Sequence, residues 1–171
     1  MKKAVIGLLA LVFPAVALAG DGAAPTCDPC IDIDDTLVFD GSDQMVSGSV
    51  AGEPNSEYTY QFCAVGGETY FFSTCDTYGG TATYDTALSI WEIGGDACGV
   101  NLFCNDDDCF DGQDIFRSTI SWVAPADGDY LVVVDAFSTG QGDYTMVYRG
   151  AACDAVPTES ITWGEVKNTY R

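Results

Sequence analysis

The chain of 171 residues carries 26 acidic side chains against 6 basic ones and no histidine. A net charge of −20 repels nucleic acid and anionic lipid while it attracts cations and basic partners. The lack of histidine excludes the Ser-His and Cys-His nucleophile pairs, the imidazole general base and the usual catalytic zinc sites.

In chain order, Lys2 and Lys3 precede the apolar run 4–16, and Ala17-Leu18-Ala19 follows as a small-x-small site. That three-part pattern predicts a signal peptide over 1–19, cleaved before Gly20. About 15 apolar residues is short for a membrane span, so the chain is expected to be secreted or at the cell surface and not membrane-spanning. Cleavage removes two lysines and leaves 4 basic against 26 acidic residues, a net −22, with Arg117 and Arg149 the sole cations from 20 to 150.

Residues 20–43 hold Cys27, Pro29, Cys30 and the acid-rich stretch Asp32 to Asp35, and read as an N-terminal extension pinned by its cysteines. Cys27-Asp28-Pro29-Cys30 has the spacing of a redox pair but lacks the βαβ context that gives the motif meaning. All eight cysteines, Cys27, Cys30, Cys63, Cys75, Cys98, Cys104, Cys109 and Cys153, lie beyond the signal. In an oxidising compartment they predict disulfides, with 105 possible pairings.

From 44 to 150 helical periodicity is nearly absent, and strand signals recur between Gly and Asp clusters. This is the habit of an all-β, antiparallel β-sandwich. Strands are expected at 44–50, 58–64, 69–74, 83–93, 101–104, 118–123, 130–136 and 144–149, after a first one at 36–39 in the extension. Alternation assigns a buried face to Tyr58, Tyr60 and Phe62, to Ile120 and Trp122, to Tyr130, Val132 and Val134, and to Tyr144, Met146 and Tyr148. At period two such aromatic stripes read as core before they read as a carbohydrate platform.

Residues 151–171 form a linker and a tail. Thr162 and Glu165 stand as N-cap and N3 of a capping box, with Ile161 and Val166 as a hydrophobic staple, which predicts a short C-terminal helix. Trp163, Val166 and Tyr170 fall on or near one side of it, and Lys167 and Arg171 at its end. The tail is expected to dock on this domain's flank or on an acidic partner, or to act in sorting.

The densest acidic cluster is Asn105, Asp106, Asp107, Asp108, Asp111 and Asp114, with Cys109, Phe110, Gly112 and Gln113 interspersed. Carboxylates this close repel unless a cation screens them, and hard oxygen ligands in a loop suit calcium. The spacing is not an EF-hand, since from Asp107 the third position is Cys109 and the twelfth Ser118. A solvated acidic loop is the alternative. Two carboxylates can also hydrolyse glycosides, but they must face each other about 5–10 Å apart in a cleft, which abundance does not supply. No catalytic activity is expected.

The stretch 57–149 resembles the bacterial pre-peptidase C-terminal domain. The likeness is carried by Tyr58-Thr59-Tyr60-Gln61-Phe62, Gly67-Glu68-Thr69-Tyr70-Phe71-Phe72, Tyr84-Asp85-Thr86-Ala87-Leu88, Cys104-Asn105-Asp106-Asp107-Asp108-Cys109, Gly128-Asp129-Tyr130 and Gly142-Asp143-Tyr144. The resemblance implies a jelly-roll-like sandwich serving binding, export or stability, with Asp85 and the Asn105-Asp106-Asp107 turn as calcium ligands. Within that frame Cys75 is expected to pair with Cys109 and Cys98 with Cys104, and Cys27, Cys30, Cys63 and Cys153 to form the other two bridges in an order left open. Two functions follow as expectations. One is a calcium-binding adhesion or binding module acting on an extracellular polymer or surface protein. The other is a structural subunit that self-assembles through its N-terminal extension.

Overall fold

The structure, a computed structural model, describes residues 27, 30, 32–51, 57–95, 97–109, 116–137 and 140–153. The signal segment and the helix expected over 160–171 lie outside these residues. Ten strands form: β1 (Asp35–Leu37), β2 (Gln44–Val50), β3 (Tyr58–Ala64), β4 (Thr69–Ser73), β5 (Thr81–Ala82), β6 (Thr86–Gly94), β7 (Ala97–Asp106), β8 (Thr119–Val123), β9 (Gly128–Ala136) and β10 (Gly142–Arg149). The described residues contain no α-helix, only a 3-10 turn at Asp76–Tyr78.

One sheet runs β1-β3-β9-β6-β7 and the other β2-β10-β4-β8, with β5 paired to β10. Every pairing is antiparallel except β1 with β3, which is parallel. That single parallel pair departs from the antiparallel expectation, because the extension enters the sheet in the direction of β3. β2 and β3 keep the predicted bounds. The strand expected over 83–93 starts only at Thr86, and the one expected at 101–104 spans Ala97–Asp106. The longer β7 arises from one long hairpin whose last pair is Gly94 with Ala97, where Gly95 takes the left-handed φ of +72°.

The alternating stripes meet between the sheets. Tyr60, Phe62, Leu88, Ile90, Val132 and Val134 from one sheet face Tyr70, Phe72, Ile120, Tyr144 and Met146 from the other, all buried. Phe39, arriving from the extension, sits edge-on to Phe62, Tyr70, Phe72 and Tyr148. Such edge contacts add to the area these rings bury.

A second, smaller core lies on the other face of the first sheet, where Trp91, Leu131 and Val133 are buried with Cys30 against Cys27, Ile33, Ile93 and Cys98. The extension therefore straps that face. The sign of it in the sequence is the unbroken run Leu131-Val132-Val133-Val134, since a strand covered on both faces loses its alternation.

Four disulfides hold the domain: Cys27–Cys104, Cys30–Cys98, Cys63–Cys153 and Cys75–Cys109. Cys75–Cys109 is as expected. The expected Cys98–Cys104 pair does not form, because both residues stand on β7, six positions and so about 20 Å apart along the strand. A disulfide needs its Cα atoms within about 7 Å. Each instead bonds to the strap, joining the extension to an edge strand of its own sheet.

Candidate cation site

At one end of the sandwich the β6–β7 hairpin sets Ala87 opposite Asp106, and Asp85 precedes β6 on the same side. Asp107 follows with φ +61°, a left-handed conformation that aspartate tolerates better than most residues. The chain turns sharply off β7 there. The carboxylates of Asp85, Asp106 and Asp107 converge so that one oxygen of each lies within 4.8 Å of the others.

The electrostatics of this cluster are unfavourable as it stands. Oδ1 of Asp85 and Oδ1 of Asp106 are buried and accept no hydrogen bond. Burial, then the charges of Asp107 and Asp106, push the Asp85 carboxyl up to about 6. Burial followed by Asp107 raises Asp106 as well. Two like charges 4 Å apart cost about 4 kcal/mol at an effective dielectric near 20. A hard cation reverses that sign and takes up the orphaned oxygens, and calcium's tolerance of irregular oxygen geometry suits a site built from a strand end and a turn.

The other expected ligands divide. Asn105 is turned away, as its Oδ1 accepts from the Thr119 amide at 3.1 Å and its Nδ2 donates to Asp108 Oδ2 at 3.3 Å. Asn105 thus ties the end of β7 to β8 and holds Asp108 apart from the converging trio. Asp111 and Asp114 lie outside the described residues.

What fixes the cluster is a buried polar knot beside it. Thr74 Oγ1 and Thr86 Oγ1 lie 2.8 Å apart, and both accept from the Ser118 amide, at 3.2 and 3.1 Å. Ser118 Oγ donates to the Thr86 carbonyl. Immediately outside, Thr86 N–H donates to the Phe116 carbonyl and Phe137 N–H to that of Asp85, both at 2.9 Å. Cys75–Cys109 then staples the loop after β7 to the end of β4. Sequence reasoning missed this knot, since Ser and Thr are commonplace on strands. It also missed Asp135, buried opposite Ala87 with Oδ1 accepting from the Ala136 amide. An aspartate inside the apolar run Val134-Asp135-Ala136 was the available signal.

The fold and site define an all-β, disulfide-stapled sandwich with an acidic cluster at one end. No family model matches the chain, and no curated protein matches it in sequence. Among solved structures it is similar to PliG of Aeromonas hydrophila, a periplasmic inhibitor of g-type lysozyme. The TM-score is 0.51 and the identity 15%, over 70% of this chain and 98% of that one. It is also similar to the pre-peptidase C-terminal domain of a Bacillus anthracis collagenase, with TM-score 0.47 and 10% identity over 70% and 98%. CorA, a surface-associated copper-binding protein of Methylomicrobium album BG8, gives TM-score 0.44 and 10% identity over 71% and 99%. At 15% identity the likeness to PliG is one of fold alone. No helix among the described residues is long and apolar enough to cross a membrane.

Proposed function

We propose that the protein is an exported, non-catalytic binding module that acts on an extracellular polymer or surface protein, with calcium seated between Asp85, Asp106 and Asp107. The observation that carries this reading is the convergence of three carboxylates in which two buried oxygens accept no hydrogen bond. An acidic loop that only keeps the protein soluble has its oxygens in water. A body of this charge favours a basic partner over an anionic one. Calcium would serve here as a structural ion, holding the β6–β7 end in the shape that meets the partner.

The alternative, a subunit that self-assembles by donating its N-terminal extension to a neighbour, requires a free arm. Here β1 pairs with β3 of its own chain, and Cys27 and Cys30 are bonded to β7. The monomeric module is therefore the better supported reading. Calorimetric titration of the metal-free protein with calcium tests it, with one site per chain expected and the binding lost in Asp106→Asn. Absence of heat and of any thermal shift at millimolar calcium rejects the site.

A further inference from the structure

A groove of about 300 Å³ lies beside β1, β3 and Asp129 of β9, where β1 is the edge strand of the first sheet among the described residues. Its floor and walls include Val38, Gln61, Asp129 and the Cys63–Cys153 disulfide. Val38 is 70% exposed although Leu37 and Phe39 on either side of it are buried. An apolar side chain held this open, next to a disulfide, leaves a surface short of a partner.

The chain leaves the described domain at this same place. Cys153, the last described residue, lines the groove and is bonded to Cys63 of β3. The segment 154–171 that follows has an apolar set, Ile161, Trp163, Val166 and Tyr170, together with a capping box. Two helical turns are unstable alone in water and require a surface. Residues 154–160 can span up to about 25 Å, ample to set Ile161 and Trp163 over the groove. Tethering raises their effective concentration there to the millimolar range, above that of any second copy at ordinary dilution. Charge agrees, because the segment carries Lys167 and Arg171 while the groove wall contains Asp129.

We propose that the C-terminal segment 154–171 is the occupant of this groove, with Trp163 seated against Val38 and the Cys63–Cys153 disulfide, and covers the open edge of the first sheet in its own molecule. The groove volume admits one indole and an aliphatic neighbour.

Tryptophan emission of the purified full chain tests this, since Trp91 and Trp122 are both buried in the domain. Subtracting the spectrum of Trp163→Phe isolates the signal of Trp163. The expected signal is blue-shifted, shielded from iodide and independent of protein concentration. Val38→Asp should move it to the red and open it to iodide, with near-ultraviolet dichroism showing that the sandwich persists. Thr36→Lys, on the exposed rim, serves as a second variant that repels Lys167 and Arg171 and should loosen the tail in the same direction. A Trp163 already open to iodide in the unaltered protein overturns the proposal. So does a shielded Trp163 indifferent to both substitutions, and so does shielding that fades on dilution, which would mean that a second copy holds the tail.

Discussion

Tyr60 of β3 and Tyr144 of β10 meet hydroxyl to hydroxyl at 2.8 Å, so the two sheets share a hydrogen bond in the middle of their apolar interface. Both rings are buried, and burial pushes the Tyr60 hydroxyl up to about 12 and that of Tyr144 higher still. The pair stays neutral at any pH the protein meets. Each hydroxyl satisfies the other, which explains how two phenols are accommodated where phenylalanines pack elsewhere.

This pair yields a mutational series. Tyr144→Phe should cost about 1–3 kcal/mol, because it leaves the Tyr60 hydroxyl buried without its partner. The double change Tyr60→Phe with Tyr144→Phe should cost less than the two single changes summed, since no polar atom is then stranded. Gly48→Ala reaches the same place from β2, as its Cβ would lie 2.4 Å from Tyr144 Oη and 2.6 Å from Cζ. Overpacking of this kind costs about 1–3 kcal/mol. Chemical denaturation of the four variants measures all of these.

The acid pocket predicts an inverted pH dependence. Asp85 has its folded-state carboxyl raised from 3.8 to about 6, chiefly by burial. In that window the folded protein holds more protons than the unfolded one, so this group's contribution falls as pH rises from 3.8 through 6. Bound calcium would replace the proton above that range. The metal-free protein should therefore melt lower at pH 7.5 than its other carboxylates alone would dictate, and calcium at 100 times its dissociation constant should return about 2.7 kcal/mol. Magnesium should do less, because it gives up its water reluctantly. Asp85→Asn should melt higher than the parent without metal and gain little from calcium. Calorimetric scans at pH 5 and 7.5, with and without each ion, read out all three effects.

The nested strap bonds predict a specific peptide map. Cleavage before Asp28 and after Leu102 or Phe103 separates Cys27 from Cys30 and Cys98 from Cys104. The non-reduced digest should then contain Cys27 joined to Cys104 and Cys30 joined to Cys98, with no Cys98–Cys104 product and no alkylated thiol. Replacing Cys27 and Cys104 together by Ser should cost about 2–5 kcal/mol, since the bond closes a separation of 77 residues.

The polar knot predicts coupling between a buried threonine and the metal. Thr86→Val keeps the shape of the side chain but takes one acceptor from the Ser118 amide and leaves Thr74 Oγ1 with one partner fewer. Loss of about 1–3 kcal/mol is expected. Calcium affinity should fall as well, because Thr86 adjoins Asp85 and anchors the start of β6. An affinity unchanged in Thr86→Val, by titration, would show that the pocket is positioned by the hairpin alone.

Local pattern decides much of this protein. Alternation along Tyr58-Thr59-Tyr60-Gln61-Phe62 and Tyr144-Thr145-Met146 dictates which side chains enter the core, because a strand with one buried face repeats every second residue. The count of cysteines beyond a signal-like leader dictates that they are bonded, and the run Asn105 to Asp108 marks the end of the molecule where carboxylates gather. None of that contains a distance between strands remote in sequence. Only the tertiary structure brings Asp85 to Asp106, turns Asn105 away toward Thr119, and carries Cys27 and Cys30 across Trp91 to reach β7. Pairing order among strands depends on which edges and faces remain open after the others have packed. That is a property of the whole chain, and so the partners of Cys98 and Cys104 could not be read from the short segment that separates them.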